Sequence, residues 1–211
     1  MLLGCAAPPP KAPAAPVNDL EFERFVATQL PFDAALLKGG DWALYTLKAQ
    51  GVIRPEHYKW SVVTADVKGL WIENKVPHAE TGMITKSRYD RAGKPVEIWM
   101  GPPGGVPAQV WPKPGTPMAP PARAAAPPPL REEAEPVAAA GRTFRCVKVT
   151  SEATRPDGRK IPVVSWFSSE VPFAGQARYG GLVKRQAGRV TMELVDSGNA
   201  PRPRPELEIP K

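Results

Sequence analysis

The residues with the clearest chemical role lie at the start of the chain, in the run Leu2-Leu3-Gly4-Cys5. A signal peptidase requires a small residue before the bond that it cuts, and Gly4 supplies one. The thiol of a cysteine that becomes N-terminal can carry a diacylglycerol group as a thioether. The run therefore predicts that Cys5 is a lipidation site.

This run resembles the lipobox at the end of a bacterial lipoprotein signal peptide. A complete export signal also has a charged region and an apolar run of about 7–15 residues, whereas residues 1–4 precede Cys5 here. We expect either a start codon further upstream or a shortened N-terminus; the alternative is a cytosolic protein with a chance Leu-Leu-Gly-Cys. The Pro/Ala-rich residues 6–16 favour a lipoprotein, because such segments tether an anchored cysteine to a folded domain.

The anchor predicts where the protein resides. No stretch of the sequence approaches the roughly 18 apolar residues of a transmembrane helix, so the lipid is the expected membrane anchor. Ala6 follows the cysteine in place of the aspartate that retains some lipoproteins in the inner membrane. The expected location is the bacterial cell envelope, on the outer membrane and facing the periplasm. Cys146, the other thiol, lies in an alternating apolar run and is predicted to be a small buried hydrophobe.

The 28 prolines of the 211-residue chain are concentrated in three places. Residues 1–17 form the lipobox remnant and tether, residues 112–141 a Pro/Ala-rich insert, and residues 200–211 a C-terminal tail. Each has too few large apolar residues to bury a core, so we predict that all three are disordered. The folded domain is expected over 18–199.

The net charge of +7 does not predict nucleic-acid binding, because the basic residues are scattered and form no block with interleaved aromatics. For an exported protein, anionic lipid headgroups or envelope polymers are the expected counterpart of this charge. Solvated charge without a dedicated partner is the alternative.

The domain is predicted to begin with a helix and continue as strands. Asn18 with Glu21 three residues later is typical of a helix start, and Pro31 ends that helix. From residue 41 onward, short alternating runs are separated by turn residues, as at 66–69, 90–94 and 155–159. About nine or ten strands without helices between them predict a mainly β fold, a curved antiparallel sheet or half-barrel.

Several stretches resemble the LolA/LolB-like half-barrel of bacterial envelope proteins. They are WFSSEVPFAG at 166–175, GLVK at 181–184, GDWALY at 40–45 and LWIE at 70–73. The resemblance covers residues 18–198. It implies a curved antiparallel sheet, lined by apolar side chains and lidded by helices, that holds the acyl chains of lipoproteins or related amphiphiles. The proline-rich insert departs from this pattern near the expected lid.

The tryptophans are the candidate ligand-lining residues. Those on predicted strands are Trp42, Trp60, Trp71, Trp99 and Trp166. In a half-open barrel they would line an apolar cavity, where burial of an acyl chain gains about 0.8 kcal/mol per methylene. The alternative is that they are core residues that fill the barrel themselves.

The sequence predicts no catalytic residue, metal site or cofactor. His57 and His78 lie apart in turn-like contexts, and no Gly-x-Ser-x-Gly run is present. We therefore expect a non-catalytic, lipid-anchored envelope protein that binds or carries an acyl chain or other amphiphile. The alternative is a structural or interaction lipoprotein with a filled barrel, whose Pro-rich segments engage protein partners.

Overall fold

The computed structural model describes residues 18–52, 54–76, 82–112, 129–173, 175–176, 178–200 and 205–209. Cys5 and the tether, most of the Pro/Ala-rich insert, and residues 201–204 and 210–211 lie outside the described residues. The predictions made for those positions therefore stay predictions.

One helix opens the domain, α1 (Asp19–Thr28). The side chain of Asn18 accepts a hydrogen bond from the Leu20 amide at 3.0 Å, which satisfies one of the free N–H groups of the first turn. The helix ends before Pro31, where the ring removes a donor and excludes helical geometry for the residue before it. Both ends lie close to the predicted positions.

Among the described residues, twelve strands follow the helix. They are β1 (Asp41–Ala49), β2 (Glu56–Asp66), β3 (Gly69–Val76), β4 (Met83–Tyr89), β5 (Pro95–Gly101), β6 (Ala108–Trp111), β7 (Arg131–Ala139), β8 (Arg142–Thr154), β9 (Lys160–Ser168), β10 (Gly175–Gln176), β11 (Gly180–Ala187) and β12 (Val190–Asn199).

The strands form one sheet in the order β6-β5-β4-β3-β2-β1-β12-β11-β9-β8-β7, and β10 pairs with β11 beside this path. Every pairing is antiparallel. Within the described part of the chain, β6 and β7 are the two edges, and the sheet does not close. The predicted mainly β, curved antiparallel sheet with an N-terminal helix is confirmed.

Aspartates form two of the predicted turns. The Asp66 carboxylate accepts a hydrogen bond from the Lys68 amide at 2.7 Å. The Asp90 carboxylate accepts from the amides of Ala92 at 3.0 Å and Lys94 at 2.8 Å. These Asx turns satisfy main-chain donors locally, and the chain reverses where turn chemistry predicted it would.

Much of the core lies on one side of the sheet. Ala43, Tyr45 and Leu47 of β1 are buried there, and we call this side the inner face. Helix α1 packs against β11 and β12. The opposite side, the outer face, carries Trp42 and Thr46 of the same strand, because successive side chains of a strand alternate.

Two segments differ from the prediction of disorder. Within the insert 112–141, residues Arg131–Ala139 form β7, which pairs along its whole length with β8. Its composition is low in large apolar residues, but an edge strand obtains its main-chain hydrogen bonds from a single neighbour. Pro136 is tolerated there because it need not donate on the free side. Within the tail 200–211, residues 205–209 contact the sheet, and Leu207 is fully buried.

Candidate functional site

The register of the sheet separates the candidate tryptophans onto different faces. Trp60 lies on the inner face, since it pairs with Ala43 of β1. The other four lie on the outer face, as their cross-strand neighbours show; they are Trp42, Trp71, Trp99 and Trp166. The five tryptophans therefore do not line one common cavity.

The inner face is covered by the chain itself. Leu30, Phe32 and Leu37 follow α1 and are buried. The Phe32 ring meets Tyr89 of β4 edge to face, with centroids 5.0 Å apart. From the other half of the sheet, Phe173 is fully buried in the loop after β9. These buried side chains therefore cover part of the inner face.

Trp60 belongs to the same packing. Its ring lies 6.4 Å from that of Phe173, measured between centroids, and the two planes are tilted by 42°. Close to this contact, the loop after β9 passes directly over Gly181 of β11. A Cβ at Gly181 would lie 2.3 Å from the Val171 carbonyl oxygen, so a glycine is needed there for the loop to pass this close to the strand.

A buried cation fastens α1 to the sheet. The Arg185 guanidinium on the inner face of β11 donates to Ser165 Oγ at 2.9 Å. It also donates to the main-chain oxygens of Val26, at 3.4 Å, and Gln29. These are carbonyls at the C-terminal end of the helix, which attract positive charge. Burial lowers the pKa of Arg185 to about 10, so the side chain remains a cation at neutral pH.

Two of the outer-face tryptophans are held by their immediate neighbours. The Trp42 indole lies flat against Gly198 of β12, where a Cβ would be 3.2 Å from its Nε1 atom. Trp99 Nε1 donates to the Glu97 carboxylate at 2.9 Å. The first contact joins cross-strand neighbours and the second joins residues two positions apart.

Lysines cover Trp166. It lies between Lys148 of β8 and Lys184 of β11, whose Nζ atoms are 5.8 Å and 5.5 Å from the ring centroid. As a result the tryptophan is 8% exposed. Glu135 of β7 accepts a hydrogen bond from Lys148, which lowers the pKa of the Glu135 carboxyl and raises that of the Lys148 ammonium. Trp166 is therefore a covered side chain under two cations rather than an open ligand platform.

The outer face of β3 and β4 carries an ion pair that holds another part of the chain. Glu73 and Lys86 are cross-strand neighbours whose charged atoms lie 3.3 Å apart, and their side chains are 6% and 9% exposed. The Glu73 carboxylate accepts from the amides of Glu206 at 2.9 Å and Leu207 at 3.2 Å. Lys86 Nζ donates to the Leu207 carbonyl oxygen at 2.7 Å.

Side chains complete this contact. Leu207 is fully buried, and its Cδ1 atom would lie 3.0 Å from a Cβ placed on Gly101. The Glu206 carboxylate lies between the ammonium groups of Lys59 and Lys75, at 3.6 Å and 3.7 Å. Lys86 itself lies 5.8 Å from the Trp71 ring centroid. We call the sheet side of this contact, formed by Lys59, Glu73, Lys75, Lys86 and Gly101, the outer-face groove.

Sequence reasoning did not identify the outer-face groove. The available signal was the pair Leu207 and Ile209, which are large apolar residues in a tail otherwise built of proline, charged residues and one alanine. In the sequence, nothing distinguishes Glu73 and Lys86 from other charged strand residues; they become neighbours only through the register of β3 and β4. They could not have been paired from the sequence alone.

Among the described residues, no group of three or more His, Cys, Asp or Glu side chains is arranged to hold a metal ion. His57 of β2 has its Nδ1 atom 3.2 Å from Thr46 Oγ1. No helix within the described ranges is long and apolar enough to cross a membrane. The predicted lipidation site, Cys5, lies outside those ranges.

Comparison with known proteins adds no assignment. No protein-family model matches the chain, and no curated protein sequence matches it significantly. A functional proposal therefore rests on the residues of this chain and on the contacts that its fold creates.

Proposed function

We propose that this protein is a lipid-anchored, non-catalytic interaction protein of the bacterial cell envelope, with a β-domain filled by its own side chains. Cys5 carries the lipid, and the expected location is the outer membrane, facing the periplasm. The Pro-rich segments reach or bind protein partners. The competing proposal is a carrier in which the same half-barrel holds an acyl chain.

The observation that carries the proposal is the covering of the inner face. Phe32 and Phe173 come from different parts of the chain, and both are buried on this face. A carrier of acyl chains needs an apolar cavity lined by residues that contact ligand. Here Trp60 contacts Phe173 instead, and the other four candidate tryptophans lie on the opposite face of the sheet from Trp60. The packing favours a structural role for these aromatics.

The position of the Pro-rich segment supports a role in binding. Strand β6 ends at Trp111 and β7 begins at Arg131, so residues 112–130 join the two edges of the sheet. Proline-rich stretches are recognised as polyproline II helices by aromatic-lined grooves on partner proteins. The residues on either side of the segment belong to strands β6 and β7.

The first test is a titration of the purified Cys5→Ser chain with a fluorescent fatty acid. For a filled barrel we expect no saturable increase in fluorescence, because the methylene groups of the fatty acid have no apolar cavity in which to be buried. A fatty-acid-binding protein serves as the positive control for the probe. Saturable uptake with one ligand per chain would contradict the proposal and favour the carrier.

A second test addresses the partner. Residues 113–128 are replaced by a Gly/Ser linker of equal length, which preserves the connection between β6 and β7. Chemical crosslinking in living cells should join the natural chain to partner proteins of the envelope. The chain with the Gly/Ser linker should not form these adducts. An unchanged thermal unfolding curve is the control for folding. Identical adducts from both chains would rule out the Pro-rich segment as the binding element.

The anchor is tested separately by intact mass. The chain is expressed behind a complete signal peptide, with Cys5 or with Cys5→Ser. We expect an acylated, cleaved product that depends on Cys5. A soluble product of unmodified mass would remove the envelope assignment and leave the two other tests unaffected.

A further inference from the structure

We propose that the outer-face groove is a peptide-binding site, which the chain's own residues 205–209 occupy and which takes a segment of another protein with the same chemistry. That segment has an acidic residue followed directly by leucine or a similar aliphatic residue. This proposal goes beyond the proposed function, because it concerns a different surface. It requires neither the lipid on Cys5 nor the Pro-rich residues 112–130 between β6 and β7.

The groove recognises main-chain atoms, which every peptide offers. Glu73 accepts hydrogen bonds from two successive amides, and Lys86 donates to the carbonyl of the second residue. Hydrogen bonds with one charged partner are about twice as strong as neutral ones. The two side chains therefore bind the peptide unit around Leu207 from both its donor and its acceptor side.

Two further contacts select the side chains of the peptide. Leu207 is fully buried beside Gly101, where a Cβ would lie 3.0 Å from the leucine side chain. A glycine at this strand position leaves room for a branched aliphatic group. The preceding carboxylate, that of Glu206, lies within 4 Å of two ammonium groups. These lysines are half exposed, so they contribute to orientation and to the rate of encounter more than to affinity.

The ion pair suits a site that is alternately open and occupied. A buried ion pair is costly unless hydrogen bonds satisfy its remaining atoms, and the peptide main chain supplies those bonds here. Without the segment, Glu73 and Lys86 would be solvated cross-strand neighbours on the outer face, which is a stable arrangement. The sheet therefore does not depend on the segment for its own pairing.

The segment is held by these contacts with side chains of the sheet and not by strand pairing. Residues 205–209 form no strand, and residues 200–204 separate them from the end of β12 at Asn199. Such a short connection gives the segment a local concentration on the order of millimolar. A free peptide must compete with it. For a peptide whose own Kd is about 0.1 mM or lower, a local concentration of about 1 mM makes binding to the natural chain at least about tenfold weaker than binding to a chain whose segment is released.

The test uses the full chain with Cys5→Ser, with and without Leu207→Asp. The aspartate cannot be buried without a partner, so it releases the segment and leaves the groove intact. The probe is a fluorescein-labelled synthetic peptide of residues 203–211, and binding is followed by fluorescence anisotropy. We expect saturable binding to the Leu207→Asp chain and at least about tenfold weaker binding to the chain that retains Leu207.

Peptide variants test recognition without any change to the protein. A probe with aspartate in place of its leucine should not bind, and a probe with lysine in place of the preceding glutamate should bind more weakly. On the protein side, Lys86→Met in the Leu207→Asp chain should abolish binding. Lys48→Met is the matched control, because Lys48 is an exposed lysine on the outer face of β1 outside the groove.

Three results would overturn the proposal. The first is that the probe does not bind a Leu207→Asp chain whose circular dichroism spectrum matches that of the natural chain. The second is that the leucine and aspartate probes bind equally well. The third is that Lys48→Met and Lys86→Met reduce probe binding by the same amount. None of these results bears on fatty-acid uptake or on lipidation. Failure here is therefore distinct from failure of the proposed function.

Discussion

Replacement of Phe173 by alanine tests whether the chain fills the inner face itself. Phe173 is fully buried and lies 6.4 Å from Trp60 between ring centroids. Truncation of a core phenylalanine typically costs about 3–5 kcal/mol, from lost burial and from the cavity left behind. In a domain of this size, each kcal/mol lowers the melting temperature by roughly 2–4 °C. We therefore expect a fall of roughly 6–20 °C for Phe173→Ala.

The assay is urea unfolding followed by tryptophan fluorescence, combined with calorimetry. Phe25→Ala is the matched control, because it makes the same chemical change at a residue of α1 that is 53% exposed. At a surface position the free energy of unfolding should change by no more than about 0.5 kcal/mol. The difference between the two variants isolates the contribution of inner-face packing from that of a phenyl ring in general.

Equal stability of the two variants would refute the reasoning. It would mean that Phe173 does not fill the inner face in solution and that the loop after β9 leaves it open. In that case the tryptophan on this face, Trp60, would again be a candidate for ligand contact. The acyl-chain carrier would then become the better proposal.

Three further expectations test individual contacts. Arg185→Met should lower the free energy of unfolding by about 2–3 kcal/mol in urea titrations, because buried carbonyls at the end of α1 lose a charged donor; an unchanged value would show that water replaces it. In a Cys5→Ser chain, burial raises the pKa of the Cys146 thiol from 9.0 to about 11, so iodoacetamide at pH 8 should label the folded chain about 100-fold more slowly than the unfolded chain by mass spectrometry. The neutral thiol is favoured in the fold, so its contribution to stability is present below pH 9 and is lost as the pH rises to about 11; equal labelling rates would contradict its burial. Gly181→Ala should cost about 3 kcal/mol in thermal unfolding, because its Cβ would lie 2.3 Å from a loop carbonyl, whereas Gly39→Ala, with 3.5 Å to its nearest neighbour, should be close to neutral.

The elements of the domain were largely predictable because their signals are local. Asn18 caps α1 through a bond to a residue two positions away. Asp90 closes the hairpin between β4 and β5 through amides two and four positions away. Hydrogen bonds of this kind join residues a few positions apart, so they can form before the rest of the chain has folded. It correctly indicated a helix followed by antiparallel strands.

Strand β7 was missed for the opposite reason. Its sequence, with Glu132, Glu133 and Glu135 around Pro136, has the composition of a disordered segment. The strand forms because β8 offers a complete row of pairing partners from Arg142 to Thr150. An edge strand of this kind depends on its neighbour more than on its own residues.

The faces of the tryptophans depended on the register. A bulge at Val63 interrupts the pairing of β2 with β3, and a second at Val195 of β12 lies opposite Leu44 and Tyr45 of β1. Each bulge shifts the alternation by one residue, and a shift of one residue moves a side chain to the other face of the sheet. Residue counting could place Trp71 on a strand but could not place it on the inner or the outer face.

The sequence by itself determined the β-rich class, the helix start, the turns and the candidate lipid site at Cys5, because each follows from residues close together in the chain. Tertiary structure alone decided that Phe173 covers Trp60 and that Leu207 occupies a groove built by Glu73 and Lys86. The Leu207 amide and the Glu73 carboxylate that binds it are 134 positions apart. Contacts of that range have no local signature, since they arise only when strand pairing and register have been set for the whole sheet.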